Sequence, residues 1–419
     1  MIESISNHNL HANLNIDIAE IVNKFSTPLI LYSVNDLNYR ITELHAALPE
    51  ESRLLYSVKA NPNPFVLNLF NQAGLGFEVA SVGELQHLIK SKIHPDGIVL
   101  GGPIKSKEAI LSGIKNHILS YNVESEQDLT NIARASNQRL NISLRINPDF
   151  SNRTSLLKMG GVSSQFGIDE NNIIPLIRKY KNEVNINGLF MFNGSQFFDV
   201  QNIIQNTSFL IEFAEKHQDE FNQLDFLDFG GGFGVPESAD QSELNMNLLK
   251  TGLADLFRSK KHFLDRVKYK FFESGRYLTA TSAILVSKVL DIKYSKGKKY
   301  IILDTGINHL GIRQLHYRTQ VSFISTLKEN EHYSPAILTG ATCTPLDIIL
   351  NEVNFPNVSV DDLVLIHNVG AYTSTLSPYN FCGFTYPAEV AVDTNGYVLL
   401  IRERGDIENS CGLGYKEYF

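Results

Sequence analysis

Arg53 to Gly74, RLLYSVKANPNPFVLNLFNQAG, is a short apolar run followed by a longer amphipathic stretch. The run Leu54-Leu55-Tyr56-Ser57-Val58 has strand character and ends in Lys59. After Ala60-Asn61-Pro62-Asn63, the stretch from Phe65 has helical length and patterning, so the segment reads as one β-α unit. The same alternation surrounds it. PLILYSV is followed by DLNYRITELHAAL, GIVLGG by SKEAILSGI, and HILSYNV by EQDLTNIARAS; NISLRIN, INGLFMFNG and LDFLDFGGG continue the series. Seven or eight such units suggest a closed parallel barrel with its active site at the C-terminal strand ends, an open doubly wound sheet being the alternative.

After about Thr281 the character changes to β-rich segments separated by turn residues: AILVSKVLDIKY, KYIILDTG, PAILTGAT, DLVLIHNVGAY and GYVLLIRERG. A second, mainly antiparallel domain is expected there. The 419 residues, 43% hydrophobic and 20% charged with a net charge of −8, suit a folded two-domain chain without a basic footprint for nucleic acid or an anionic membrane. Neither a leader in Met1 to Ala12 nor an apolar run long enough to span a bilayer is read, so the expected place is cytoplasmic. Cys343, Cys382 and Cys411 lie too far apart for a Cys-x-x-Cys metal site and are expected as free thiols. The spacing of His309, His316 and His367 suggests no metal site either.

Four groups of residues can carry chemistry. Lys59 places an amine at a strand's C-terminal end, where desolvation can make it a Schiff-base nucleophile toward an aldehyde, although an isolated lysine is ordinarily solvated. Gly230-Gly231-Gly232-Phe233-Gly234 follows a strand-like run; glycines let backbone N–H groups approach a phosphate, and the spacing matches no nucleotide-binding motif. Glu273-Ser274-Gly275-Arg276 ends another apolar run. A buried Glu there can keep a pyridine nitrogen protonated, as in pyridoxal phosphate (PLP) chemistry, and the Arg can grip a phosphate or carboxylate. In the second domain, Cys343 within GATCTPLD can donate a proton, and Tyr372 follows Gly370-Ala371.

Taken in order, YSVKANPN, GFEVASVGEL, RINPD, QFGID, NGSQ, LDFGGGFGVP, ESGRYL, CTPLD and GAY, spread from Tyr56 to Tyr372, resemble the fold-type-III PLP decarboxylases of diaminopimelate, ornithine and arginine. The resemblance implies a (β/α)8 TIM-like barrel of the alanine-racemase type over residues 36–280. Residues 1–35 and 281–419 would form a β domain, and the chain a homodimer in which that domain completes the partner subunit's active site. By the same resemblance Lys59 holds the cofactor, Ser195 and Gly232 contact its phosphate, Gly231 and Gly275 also bind the cofactor, Arg276 and Tyr372 bind the phosphate region or the substrate, and Glu273 faces the cofactor's ring nitrogen. Cys343 returns a proton to the substrate, while Arg276, Arg313, Tyr317, Asp347 and Tyr372 are its candidate contacts; Asp347 could equally orient the Cys343 loop. Glu78 and Glu84 fall at family positions near the cofactor lysine.

Two departures bear on the reaction. Where most members of the family stack a histidine on the cofactor, this chain has Phe192, with Phe190 at a second common histidine position; a phenyl ring stacks but exchanges no proton. The glutamate that follows the cysteine in diaminopimelate decarboxylases, gripping the distal amine, is Thr344 here, which supplies no ion pair. With MGGVSSQFGID, ESGRYL and CTPLD, the pattern is similar to the glutamyl-carrier-protein decarboxylase of butirosin biosynthesis. The expected substrate is therefore a conjugated or carrier-tethered amino acid of natural-product or siderophore assembly. Free diaminopimelate, ornithine or lysine is the alternative, and a racemase or a non-catalytic homologue are further rivals.

Overall fold

Strand β1 (Leu29–Ser33) precedes eight strands that pair in parallel: β2 (Ser52–Ser57), β3 (Gly76–Val79), β4 (Ile98–Leu100), β5 (Ser120–Val123), β6 (Asn141–Asn147), β7 (Asn185–Phe190), β8 (Phe226–Asp228) and β9 (Tyr269–Ser274). In this computed structural model, which describes residues 16–151, 157–237, 241–311, 320–324 and 332–406, they run in the order β5-β4-β3-β2-β9-β8-β7-β6, and pairing of β5 with β6 closes the ring. The barrel is thus the closed one of the two expected architectures. It belongs to a compact unit of Ile41–Val235 and Glu243–Tyr277.

These strands are almost wholly buried, polar residues such as Asn122 and Ser143 included, because both their faces are covered. Leu55, Val99, Phe226 and Phe271 form one buried cluster, with the Phe226 and Phe271 rings edge to face at 5.9 Å. Gly188 makes room for this layer: a Cβ there would meet the Phe226 ring at 2.5 Å. Emptying the position by Phe226→Ala should cost about 3–5 kcal/mol. Most of the helices that follow these strands are capped by a side chain at their N-terminus. Asn63 caps Pro64–Gln72, Ser81 caps Val82–Lys90, Ser106 caps Lys107–Asn116, Ser125 caps Glu126–Ala135 and Asp199 caps Val200–Lys216, each accepting a backbone N–H of the first turn. The caps hold the turns that carry the chemistry.

The second unit, Met1–Arg40, Pro236–Ser242 and Leu278–Phe419, is built on β1, β10 (Ala283–Ser295), β11 (Lys298–Leu303), β12 (Val321–Ile324), β13 (Tyr333–Thr339), β14 (Ile348–Pro356), β15 (Leu363–Ile366), β16 (Ala388–Val392) and β17 (Val398–Arg402). Its sheet runs β14-β13-β11-β10-β1-β16-β17, with β15 pairing both β10 and β12. The sheet is mainly antiparallel, as expected; β1–β16 and β11–β13 are its parallel pairs. One face of it is sealed by Leu29, Leu31, Ile284, Val286, Leu363, Leu365, Val390 and their neighbours, against which Ile18 and Ile21 of the Ile18–Phe25 helix pack. No helix among the described residues is long and apolar enough to cross a membrane, and no cluster of potential metal ligands is found among them.

Candidate active site

Parallel closure puts the C-terminal ends of β2–β9 at one end of the barrel, and the sequence-read residues of this unit collect there. Lys59 sits in a single turn, Val58–Ala60, directly after β2. Strand pairing places Ser57 opposite Glu78, and the Lys59 Nζ lies 2.5 Å from Glu78 Oε2. The Glu78 side chain is buried while that of Lys59 is about half exposed, so a buried carboxylate orients the amine of a side chain that reaches the solvent. Glu84 does something different. Its Oε2 accepts the Ala80 N–H at 2.7 Å, and Ser81 Oγ accepts the Glu84 N–H, so it closes the helix start.

The glycine loop after β8 is pressed between its neighbours. A Cβ on Gly231 would drive into the Glu273 carbonyl oxygen, and one on Gly232, at φ +95°, into the Gly194 carbonyl oxygen. Gln196 fastens the same loop, donating to Val235 O at 3.0 Å and accepting from Val235 N–H at 2.9 Å. The Phe197 N–H reaches Gly232 O at 2.8 Å. Ser195, just ahead of Gln196, therefore stands beside Gly232. Gly275 lets the Arg276 turn approach the Lys59 turn: a Cβ on Gly275 would lie 2.9 Å from Ala60 Cβ and 3.3 Å from Ser57 Cβ. Arg276 itself is nearly buried.

Glu273 lies inside the barrel at 5% exposure, and its Oε1 has no hydrogen-bond partner among the described residues. Burial, reinforced by the charges of Asp228 and Glu78, lifts its carboxyl well above the usual carboxylate range; Lys59 pulls the other way. Buried acceptors left unmatched in a finished fold are rare, and this one suits a ring nitrogen.

Arg145 was not singled out from the sequence. It enters from β6, pairs with Glu124 at 2.9 Å, and donates to the carbonyls of Met159 and Phe192 at 3.3 Å each. The rings of Phe166, Phe190 and Phe192 surround its guanidinium at 4.9, 5.3 and 5.9 Å. Phe192 thus leans on an arginine fixed by its neighbours, and its ring approaches Gly230, where a Cβ would lie 3.1 Å from Phe192 Cδ2. A charge within the apolar run NISLRIN was the available signal.

In the second unit, the Cys343 thiol is exposed. Its loop is held by Asp347, whose Oδ1 accepts the Ile307 N–H at 2.7 Å and whose Oδ2 accepts the Thr342 N–H at 3.0 Å and the Thr342 hydroxyl. Of the two roles open to Asp347, these contacts are of the loop-orienting kind. Tyr372 has a left-handed backbone, φ 58°, a strained conformation for a residue with a side chain. Beside it, a Cβ on Gly370 would strike the Thr279 carbonyl oxygen. His309 is buried, bonded to Thr305 and to Thr385 O, and pushed down to about 4 by burial, so it stays neutral. Arg313, Tyr317, His316 and Cys411 lie outside the described residues.

The barrel end combines a carboxylate-held amine, a loop in which side chains do not fit, and a buried carboxyl with an unmatched oxygen. That set fits a phosphorylated pyridine aldehyde. The family described as pyridoxal-dependent decarboxylase, pyridoxal binding domain, matches residues 34–280. The L-glutamyl-[BtrI acyl-carrier protein] decarboxylase of Niallia circulans is 29% identical over 94% of this chain and 96% of its own length. The diaminopimelate decarboxylase of Aquifex aeolicus is 30% identical over 93% and 92%. The crystal structure of the Helicobacter pylori diaminopimelate decarboxylase complexed with L-lysine superposes with a TM-score of 0.86 at 26% identity, covering 95% of this chain and 99% of that one. The chain belongs to the pyridoxal-dependent decarboxylases, enzymes that use PLP to release the carboxylate of an amino acid.

Proposed function

We propose that this decarboxylase acts on a conjugated or carrier-tethered amino acid with a free α-amino-acid end, in natural-product or siderophore assembly. Thr344 carries the reading: the residue after Cys343 is a neutral hydroxyl, which cannot hold a distal ammonium as a carboxylate would. Similarity to the carrier-protein decarboxylase of Niallia circulans supports it. Similarity to diaminopimelate decarboxylases, at nearly equal identity, favours free diaminopimelate as the second reading.

When bound, PLP supplies a ring that accepts the electrons left behind by the departing carboxylate. Lys59 would hold the cofactor aldehyde, with Glu78 keeping its amine in place. Ser195, Gly231 and Gly232 would hold the phosphate end, Gly275 would lie against the cofactor, and Arg276 and Tyr372 would bind the phosphate region or the substrate. Glu273 would hold or accept a proton at the ring nitrogen, and Phe192 would cover the ring with an apolar face that moves no proton. Cys343 would return a proton to the α-carbon. We infer a homodimer in which Cys343 serves a partner's site; its exposure on its own unit is compatible with that role. Mixing Lys59→Ala with Cys343→Ala chains should then restore activity that each variant lacks.

The decisive assay is CO2 release over a panel of free, citryl-conjugated and carrier-tethered amino acids. Release from conjugated substrates alone is the expected result. Efficient release from free diaminopimelate, ornithine or lysine would overturn the reading, and exchange of the α-hydrogen in deuterium oxide without CO2 would identify a racemase.

A further inference from the structure

Asp228 is a buried carboxylate that has so far figured only as a charge near Glu273. It is the last residue of β8, in register with Phe271 of β9. Phe226 and Phe271 line the barrel interior, and strand residues two apart share a face, so Asp228, two beyond Phe226, and Glu273, two beyond Phe271, point into the same space as diagonal neighbours. Gly230 joins them: its N–H donates to Asp228 Oδ1 at 3.0 Å, and its carbonyl accepts the Glu273 N–H at 2.7 Å. Asp228 is fully buried, and its Oδ2, like Glu273 Oε1, has no donor among the described residues.

The contact is therefore acceptor against acceptor. Two buried carboxylates side by side repel, and they become bonding only when one proton lies between them. Glu78 from β3 adds negative charge, while Lys59 from the turn after β2 and Arg145 from β6 offset it. We propose that Asp228 is a positioning residue whose carboxyl shares a single proton with Glu273, so that the pair, and not Glu273 alone, faces the ring nitrogen of the cofactor. Such a pair holds one proton and one negative charge, the complement of a nitrogen that needs either a proton or an anion opposite it. Burial raises both carboxyls above the ordinary range, as proton sharing requires.

The inference rests on the Glu273 assignment for its consequence but not for its test, which needs neither substrate nor cofactor. Infrared spectra of the full-length apoprotein, recorded in water and deuterium oxide at neutral pH, report a protonated carboxyl directly. The wild type should show an isotope-sensitive protonated-carboxyl band that is absent from both Asp228→Asn and Glu273→Gln. The second variant leaves the Asp228–Gly230 turn intact and guards against a folding defect in the first. Absence of the band from the wild type, or its survival in either variant, would overturn the sharing. Substrate choice is untouched by either result and is decided by the CO2 panel.

Discussion

The barrel end and the Cys343 loop are built in contrasting ways. At the barrel end each functional group leaves a hydrogen-bonded strand: Lys59 after β2, Glu78 on β3, Arg145 on β6, Glu273 on β9. Their charges answer one another. The loop Gly340–Asp347 leaves an exposed thiol on irregular backbone, and a single buried carboxylate, Asp347, holds it. Rigid strand ends suit holding a cofactor that every substrate shares, whereas a loop that meets the substrate can change without disturbing the core.

If that division holds, the largest loss belongs to the barrel. Lys59→Ala should abolish the absorbance of lysine-bound cofactor and lower kcat by about 10³-fold or more, as loss of a nucleophile does. Absorbance titration and CO2 release measure both. Gly231→Ala comes next, since its Cβ meets backbone that cannot move aside; about 2–4 kcal/mol of stability should go, visible in denaturant unfolding. Asp347→Ala removes the acceptor of two backbone N–H groups and should cost about 1–3 kcal/mol. It should also lower kcat while leaving cofactor affinity unchanged, a split not expected of barrel variants.

The pH dependence of the apoprotein sharpens the comparison from the barrel side. Asp228 and Glu273 titrate higher in the folded chain than in the unfolded one, burial being the first cause, with the Asp228 step raised to about 7. Folding therefore takes up protons. The stability linked to this pair is fully present below about pH 4, where unfolded carboxyls titrate, and is lost as pH rises through the folded values. Thermal unfolding should show Tm falling over that range, and Glu273→Gln should flatten the fall.

Much of the barrel end was legible in the sequence because its signals are local. Lys59 ends an apolar run, glycines follow another, and Glu273 and Arg276 follow a third. Asp228 and Arg145 were passed over because their importance lies in neighbours distant along the chain, Glu273 and the three phenylalanines. The closed ring, rather than an open sheet, depended on the β5–β6 pairing, which no periodicity reveals. In the second unit β14 escaped notice, since IILNEVNFP alternates weakly and three of its nine residues, Asn351, Glu352 and Asn354, are polar. The loop role of Asp347 could not be settled from sequence: its partner Ile307 lies 40 residues away.

The most direct test compares kcat/KM for free diaminopimelate and a carrier-tethered glutamate in the wild type and in Thr344→Glu. The wild type should prefer the tethered substrate by about 10²-fold or more, and Thr344→Glu should gain on the free diamine, whose distal ammonium it can pair. A wild type that turns over free diaminopimelate at roughly 10⁴ M⁻¹s⁻¹ or better, with no effect of Thr344→Glu, would contradict the assignment of substrate choice to this loop.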